Sequence, residues 1–437
     1  MSASNYAVRI SIDFYPNCKI VFNSSSGRSL TIDTDLSAEQ ISNQKKVLYG
    51  KLDQFRVIIG SGLIPIENIM KSDAAKKNVS RAFKNLHKIG SEISNNLFGI
   101  RRSEVQDYIL SACPSWKLSG SDNFNPPIIE ISSSLPYSLP FEFIPLFDAG
   151  EPPEIKDFTD IQSVASRFLG FSTVVSRRPK NIDNFNVILN ANIKNRPKLK
   201  LRFFRHAGLS GVKIEEIFFK NQKWIDFHGP WPHNKFYHED FVRKLANQLY
   251  NGYEDPNEEG VDQIQHFSCH CSTKSSNSSD YTLTFLHKEE KNNFHRLQNL
   301  LHPEGDNQWA TLGELNTFFG MDSNERPKRN FKYSYPLVFL NACGASTLDP
   351  SLISSFPSFF LRAGNIGVIG PETKIPDLFA AEFSKSFYES FIRNSTLGQA
   401  IYKAKWQLLK KYLNPLGVLY SMYANPDLRV ERFIGNR

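Results

Sequence analysis

Two residues that could act together in catalysis, His270 and Cys343, each follow a run of residues that predicts a buried strand. The first run spans residues 264–270 and the second spans residues 337–343. A thiolate is a strong nucleophile, and an imidazole that titrates near neutrality can accept the thiol proton. A nucleophile and a base at neighbouring strand ends could carry out acyl transfer through a covalent intermediate. The pair therefore predicts a cysteine hydrolase.

Each residue taken alone also has a structural interpretation. A cysteine at a strand end is more often a small buried hydrophobic residue, and a lone histidine is more often a hydrogen-bonded core residue. Their joint placement at two strand ends favours a catalytic role over a structural one. The tetrahedral intermediate of such a reaction carries an oxyanion, which backbone N–H groups stabilise. The amides of Cys271 and Cys343 are the candidate donors.

The elements that must position this pair alternate between strand and helix, most clearly after residue 261. That alternation predicts an α/β fold with a mostly parallel sheet covered by helices on both faces. In such sheets the functional site lies beyond the carboxyl ends of the strands, where both candidates fall. Three local expectations are a central strand at 187–189, a strand at 198–204 with an exposed basic face, and a polar loop at 271–280.

Two acidic residues, Glu372 and Asp377, follow a predicted strand at 365–370 and could line a substrate pocket. An acidic pocket would favour a basic residue before the scissile bond. Both could instead be solvated loop charges or a helix cap. Cys269, His270 and Cys271 are consecutive, so their side chains alternate across a strand and cannot easily share one metal ion. We therefore predict neither a metal nor a cofactor.

The composition argues against direct nucleic-acid binding and against a membrane protein. The net charge of +8 comes from 52 basic and 44 acidic residues that are mixed along the chain, which favours a solvated basic surface over direct nucleic-acid binding. Five cysteines without paired spacing indicate a reducing compartment. The N-terminus lacks a signal-peptide pattern, and no apolar run reaches the ~18 residues of a membrane helix. We expect a cytoplasmic protein with no membrane segment.

Several short sequence motifs resemble those of the CHAT family of caspase-like cysteine peptidases. They are the HFSCH run at 266–270, the FLNACG run at 339–344 and the FLRAGNIGVIG run at 360–370. The LPFE run at 139–142 resembles the family's element in a degenerate N-terminal half. The resemblance covers about 220–430 and, less closely, 75–220. One departure is Cys271, because the family usually has glycine after the catalytic histidine.

The resemblance implies a caspase-like, mostly parallel α/β sheet flanked by helices. It would divide the chain into a β-rich segment of unknown role (1–75), a degenerate caspase-like half (76–220) and a catalytic half (221–437). His270 would be the general base and Cys343 the nucleophile of an endopeptidase that forms a thioester. The resemblance further implies a protein substrate and control by an activating partner or ligand, as in prokaryotic antiviral defence or cell death.

Two alternatives remain open from the sequence. The first is a catalytically silent CHAT scaffold that only binds other proteins. The second is a basic adaptor associated with nucleic acid, for which the charge pattern gives little support.

Overall fold

The computed structural model describes most of the chain in two compact units. The described residues are 6–13, 18–34, 36–37, 40, 47, 50–52, 54–57, 59–60, 63–121, 123–133, 141–146, 157–179, 188–190, 192–193, 196–251, 262–273, 281–287, 307–319, 336–342, 351–393 and 395–431. The first unit contains Met1–Asp183 and Ser386–Leu428, and the second contains Asn184–Lys385 and Arg429–Arg437.

The elements alternate as the sequence predicts. The strands are β1 Val8–Asp13, β2 Cys18–Ser24, β3 Ser29–Thr34, β4 Ile128–Ser133, β5 Val174–Pro179, β6 Ile188–Asn190, β7 Asn192–Ile193, β8 Arg196–Pro197, β9 Leu199–Arg205, β10 Ile225–Trp231, β11 Ile264–Thr273, β12 Tyr281–Phe285, β13 Gln308–Thr311, β14 Leu337–Ala342, β15 Gly367–Pro371, β16 Tyr420–Ala424 and β17 Arg429–Glu431. The α-helices are α1 Ile66–Met70, α2 Asp73–Phe98, α3 Arg102–Ala112, α4 Phe158–Ala165, α5 Leu169–Ser172, α6 Ser210–Lys220, α7 His238–Asn251, α8 Leu312–Phe319, α9 Ser351–Arg362, α10 Asp377–Phe391 and α11 Leu397–Tyr412.

The first unit contains a sheet with the strand order β3-β2-β1-β4-β5. Strands β1, β2 and β3 form antiparallel hairpins, whereas β1 with β4 and β4 with β5 are parallel. Val8, Ile10 and Ile12 are buried, as the polar and apolar alternation predicts. The N-terminal strands therefore share one sheet with elements that follow 120 residues later in the chain.

Helix α2 covers 26 residues and is capped at its N-terminus by Ser72, whose side chain accepts a hydrogen bond from the Ala75 amide. Its buried face includes Val79, Phe83 and Leu86, whose three- and four-residue spacing is that of one apolar helix face. Gly90 belongs to the same face. A Cβ at that position would lie 1.8 Å from the carbonyl oxygen of Phe143, so only glycine permits this close approach.

Three charged side chains are buried together in the first unit. The carboxylate of Glu142, in the LPFE run, lies 2.5 Å from a guanidinium nitrogen of Arg177. Lys405 of α11 is also buried, and its Nζ donates a hydrogen bond of 3.4 Å to the Gly170 carbonyl. Burial lowers the pKa of Lys405 to about 8, although the charge of Glu142 partly opposes this shift.

The second unit contains the parallel sheet that the sequence predicts. Its strands run in the order β10-β9-β11-β14-β15, and all four of these pairings are parallel. Strands β12 and β13 extend it through antiparallel pairing of β12 with the distal part of β11. The predicted α/β fold with a mostly parallel sheet is therefore confirmed.

Aromatic rings pack on both faces of this sheet. On one face His266 stacks between its cross-strand neighbours Phe203 and Phe339, at centroid distances of 5.4 and 5.1 Å. On the other face Phe267 stacks on Phe204 at 4.5 Å and contacts Phe360 of α9 at 5.6 Å. Adjacent residues of β11 thus face opposite helical layers, as in a sheet buried on both sides.

Three local expectations were wrong. The predicted basic face at 198–204 is exposed only at Lys198, because Lys200 is half-buried and Arg202, which is 7% exposed, pairs with Asp262 at 2.6 Å. The predicted loop at 271–280 is strand in its first three residues, because β11 continues to Thr273, and residues 274–280 lie outside the described residues. The strand at residue 188 is not central but pairs with β17 in a two-stranded sheet. Within the described part of the chain, no helix is long and apolar enough to cross a membrane.

Replacing Lys405 with methionine is expected to stabilise the protein at pH 7 by up to about 3 kcal/mol, because a pKa shift of one unit corresponds to about 1.4 kcal/mol. The folded protein holds this amine at a pKa of about 8, whereas the unfolded chain holds it at the ordinary value of 10.5. Wild-type stability from this group therefore rises between those pH values, and the advantage of Lys405→Met shrinks there.

Urea denaturation at pH 7 and at about pH 10 measures this difference. The matched control is Lys403→Met, at an exposed position of the same helix. A Lys405→Met variant that is less stable than wild type at pH 7, or equally stabilised at both pH values, would contradict the expectation.

Candidate active site

His270 lies on β11, where the strand passes from parallel to antiparallel pairing. It is opposite Thr284 of β12, and its side chain is partly exposed. It shares its strand face with His266, because side chains four residues apart point the same way. A partly exposed imidazole at the end of the parallel ladder has the chemistry that a general base requires.

A second histidine, His206, contacts the His270 ring. The two ring centroids are 4.4 Å apart and the rings are nearly perpendicular. The Gly208 amide donates to His206 Nδ1 at 3.3 Å, so that nitrogen is an acceptor. Nε2 then carries the proton and donates to Asn307 Oδ1 at 3.1 Å. These bonds fix a neutral His206 ring as a wall beside His270.

The predicted nucleophile, Cys343, lies outside the described residues. Strand β14 is described up to Ala342, and its pairing with β11 is parallel throughout. The register joins His266 to Phe339, Ser268 to Asn341 and, as its last pair, Cys269 to Ala342. The residues that follow this last pair in the sequence are His270 and Cys343.

A buried carboxylate, Glu215 of α6, lies under these two strands. Its Oε1 accepts hydrogen bonds from His266 Nε2 at 3.1 Å, Asn341 Nδ2 at 2.7 Å and Ser384 Oγ at 2.5 Å. Burial alone would raise the pKa of Glu215, but the charge of His266 and hydrogen bonds from neighbours including Ser384 outweigh it and lower the pKa. His266 itself is fully buried and is a core residue.

Four cysteines are free and buried: Cys18, Cys113, Cys269 and Cys271. Burial raises the pKa of Cys18 to about 11, with a smaller effect from Asp13, and raises that of Cys113 to about 12. Burial also raises the pKa of Cys269 and of Cys271. These four thiols stay protonated at neutral pH and are poor nucleophiles.

Cys271, the second candidate for an oxyanion donor beside Cys343, pairs with Leu283 of β12. Its thiol is 1% exposed, whereas the neighbouring His270 is partly exposed. Consecutive strand residues point to opposite faces, so the cysteine side chain is directed away from the face that carries His270. The role of its amide stays a prediction.

The two acids of the predicted substrate pocket have different surroundings. Glu372 directly follows β15 and is 1% exposed. Asp377 begins α10, and its Oδ2 accepts a hydrogen bond of 2.7 Å from the Ser210 amide at the start of α6. Asp377 thus acts as a cap for a neighbouring helix, one of the two structural alternatives that the sequence leaves open. A pocket role for either residue stays a prediction.

A cavity of about 370 Å³ lies next to the end of β9. Arg205 and Ala207, which flank His206, are among its lining residues, together with Val212, Lys213, Glu216, Ile217, Lys220 and His287. Lys and Arg outnumber the acids here, although Glu216 pairs with Arg205 at 2.7 Å and with Lys220 at 2.6 Å. Among the residues that the structure describes, no three His, Cys, Asp or Glu side chains are grouped as metal ligands.

Sequence reasoning missed His206, Glu215 and Asn341. Two of them carried a usable signal. Glu215 lies three residues after Val212 and four before Phe219, so it falls on the inward face of a helix where an acid is unexpected. Asn341 interrupts an otherwise apolar strand. His206 follows its strand directly, and only the three-dimensional register brings it beside His270.

Comparison with known proteins finds a family model that matches part of the chain. Residues 260–417 match the CHAT domain. This confirms the resemblance inferred from the sequence motifs, and the CHAT domain falls within the predicted catalytic segment, 221–437. It includes β11, β14 and the positions of both dyad candidates.

A 98-residue segment is 36% identical to a curated protein described as a probable protease from Vitiosangium sp. (strain GDMCC 1.1324). The segment is 22% of this chain and 13% of that protein. The chain is also similar to a solved Saccharomyces cerevisiae separase–securin complex, with 12% identity over 98% of this chain and 31% of that chain and a TM-score of 0.44. For a complex of Porphyromonas gingivalis RgpB pro- and mature domains the identity is 9%, over 78% of this chain and 72% of that chain, with a TM-score of 0.39.

The buried thiols of the CHAT domain and of the first unit are expected to resist alkylation in the folded protein. Iodoacetamide at pH 7.5 should leave Cys18, Cys113, Cys269 and Cys271 unmodified, because they are inaccessible and their pKa values are raised. Peptide mass spectrometry before and after unfolding in urea measures this. Modification of Cys269 or Cys271 in the folded state at the rate of a free thiol would contradict the burial described here.

Proposed function

We propose that this protein is a cysteine endopeptidase in which His270 is the general base and Cys343 is the nucleophile. The observation that most supports this proposal is the parallel register of β11 and β14, whose last described pair is Cys269 with Ala342. Neighbouring strands lie about 4.8 Å apart. If the ladder continues by one residue, the imidazole and the thiol lie side by side on the same face.

The chemistry follows from these two groups. His270 takes the proton of Cys343, and the thiolate attacks the carbonyl carbon of a peptide bond to give a tetrahedral oxyanion. The imidazolium returns its proton to the leaving amine as the C–N bond breaks, which leaves a thioester. Water, deprotonated by His270, then hydrolyses the thioester and regenerates the thiol. The amides of Cys271 and Cys343 are the proposed donors to the oxyanion.

The matched probable protease supports a peptidase, since its segment of 36% identity is part of a protein described by that activity. The His270 surroundings support the dyad, because the ring is partly exposed and is held against a fixed neutral His206. The four free cysteines support a reducing compartment such as the cytoplasm. Control by a partner or ligand within a prokaryotic defence or cell-death system is part of the proposal and follows the family resemblance.

Alkylation of Cys343 tests the dyad without a known substrate. A thiolate stabilised by His270 is expected to react with iodoacetamide at pH values roughly one to two units below those that a free cysteine requires. In His270→Ala the pH midpoint should rise towards about 8.5, the value for an isolated thiol. The matched control is His228→Ala, which removes a partly exposed histidine of β10 in the same sheet and should keep the wild-type profile.

An unchanged pH profile in His270→Ala would remove the dyad from the proposal. A Cys343 that is inert in both proteins would favour the silent scaffold instead.

Protein cleavage in cells tests the activity itself. New N-termini are compared by mass spectrometry between cells that express wild type and cells that express Cys343→Ala, under the condition in which the natural host activates the system. We expect termini that appear with wild type and are absent with Cys343→Ala and with His270→Ala. Identical sets of termini in all three, with the proteins present at equal levels, would contradict a peptidase.

A further inference from the structure

The buried carboxylate of Glu215 joins the two strands that carry the proposed dyad. Its side chain is 1% exposed. Three donors converge on the single atom Oε1, from His266 on β11, Asn341 on β14 and Ser384 on α10. A carboxylate oxygen that accepts three hydrogen bonds fixes the relative position of all three elements, since each bond has a narrow range of length and angle.

The two strand contacts lie on the dyad's side of the sheet. His266 precedes His270 by four residues, and Asn341 precedes Cys343 by two. Side chains separated by an even number of strand residues point to the same face. Glu215 therefore binds the face of β11 that presents His270, and the face of β14 from which Cys343 would project. One rigid group thus sets the spacing of both strands below the reacting atoms.

Helix α6 is itself fixed, so Glu215 cannot follow a strand that shifts. The Asp377 carboxylate accepts from the Ser210 amide at the start of α6, at 2.7 Å. A Cβ on Gly211 would lie 2.3 Å from the Asp377 carbonyl oxygen, which shows how closely the two backbones approach. The His266 ring is equally confined, since it stacks between Phe203 and Phe339.

A charge in this position is unexpected on grounds of stability alone. Burying a carboxylate costs several kcal/mol, and apolar side chains of similar volume often pack as well or better. The surrounding layer is aromatic, so a leucine or phenylalanine at position 215 would suit its chemistry. What an apolar residue cannot do is accept bonds from two strands at one point. The charge therefore serves the geometry that it imposes on the two strands.

We propose that Glu215 is a positioning residue that holds β11 and β14 in the register that the His270–Cys343 pair requires. It touches neither the substrate nor the reacting atoms, and it acts through His266 and Asn341. This inference rests on the proposed function, because a positioning role presupposes that His270 and Cys343 act together.

The test is the variant Glu215→Gln, with iodoacetamide alkylation of Cys343 in the full chain as the readout. The amide retains the shape of the carboxylate but removes its negative charge, which weakens each of the three hydrogen bonds to Oε1. We expect alkylation at pH 7 to slow about 10- to 100-fold, the size of effect that follows from a small misplacement of reacting groups. The pH midpoint of alkylation should shift towards that of His270→Ala. The double variant Glu215→Gln/His270→Ala should be alkylated no more slowly than His270→Ala alone.

The matched control is Asp262→Asn, which also removes a buried carboxylate of this unit. Asp262 pairs with Arg202 at 2.6 Å, before the start of β11 and far along the strand from His270. Urea denaturation should show that both variants lose stability, while Asp262→Asn keeps the alkylation rate within about twofold of wild type. A Glu215→Gln variant that loses stability but keeps the wild-type rate and pH midpoint would overturn the positioning role.

Two milder variants decide the question if Glu215→Gln does not fold. Asn341→Ala and Ser384→Ala each remove one hydrogen bond to the same Oε1 atom, but only Asn341 belongs to a dyad strand. Asn341→Ala should slow alkylation several-fold more than Ser384→Ala does, and equal rates would overturn the proposal. Failure of the dyad itself gives a different result, since His270→Ala would then leave the Cys343 pH profile unchanged.

Discussion

The parallel pairing of β11 with β14 is the constraint on which the active-site account depends. Six consecutive residue pairs, from Ile264 with Leu337 to Cys269 with Ala342, keep one register without a bulge. A slip of one residue would turn every side chain of β11 to the other face, and would take His266 away from Glu215. The proposed dyad therefore depends on this strand register, because His270 and Cys343 are 73 residues apart in the sequence.

The register is in turn held from both faces. On the Glu215 face, Phe203, His266 and Phe339 form a cross-strand stack over three strands, and the carboxylate binds two of those strands. On the opposite face, Phe267 packs between Phe204 and Phe360. These large rings are closely packed, so a different pairing of the strands would leave voids or clashes in the core. The high phenylalanine content of the chain, 35 residues, is therefore used to define this geometry.

Much of this fold could be predicted from the sequence, because the parallel strands are short apolar runs and the helices have clear periodic faces. The helix that begins at Thr396 was signalled by its capping box with Gln399, and the structure contains both of its hydrogen bonds. The extension of β11 past His270 was hidden because its residues are polar. The true pairing of β6 with β17 was hidden because it joins segments about 240 residues apart.

The site was predictable only in part, for a physical reason. His270 and Cys343 stand out because an imidazole and a thiol have distinctive chemistry at strand ends. Glu215, Asn341 and His206 act through position, and their partners come from other elements that local periodicity does not connect. An inward acid on an apolar helix and a polar residue in an apolar strand are signs of such a network. Neither sign identifies the partner.

The central claim is that the thiol of Cys343 meets the imidazole of His270. A crystal structure of the wild-type chain measures the distance between Cys343 Sγ and the nearer ring nitrogen of His270. The account predicts a separation within about 4 Å, across a surface that solvent reaches, as a proton transfer between the two groups requires. A separation of more than about 7 Å in a well-ordered site, or an intervening wall of side chains, would contradict it.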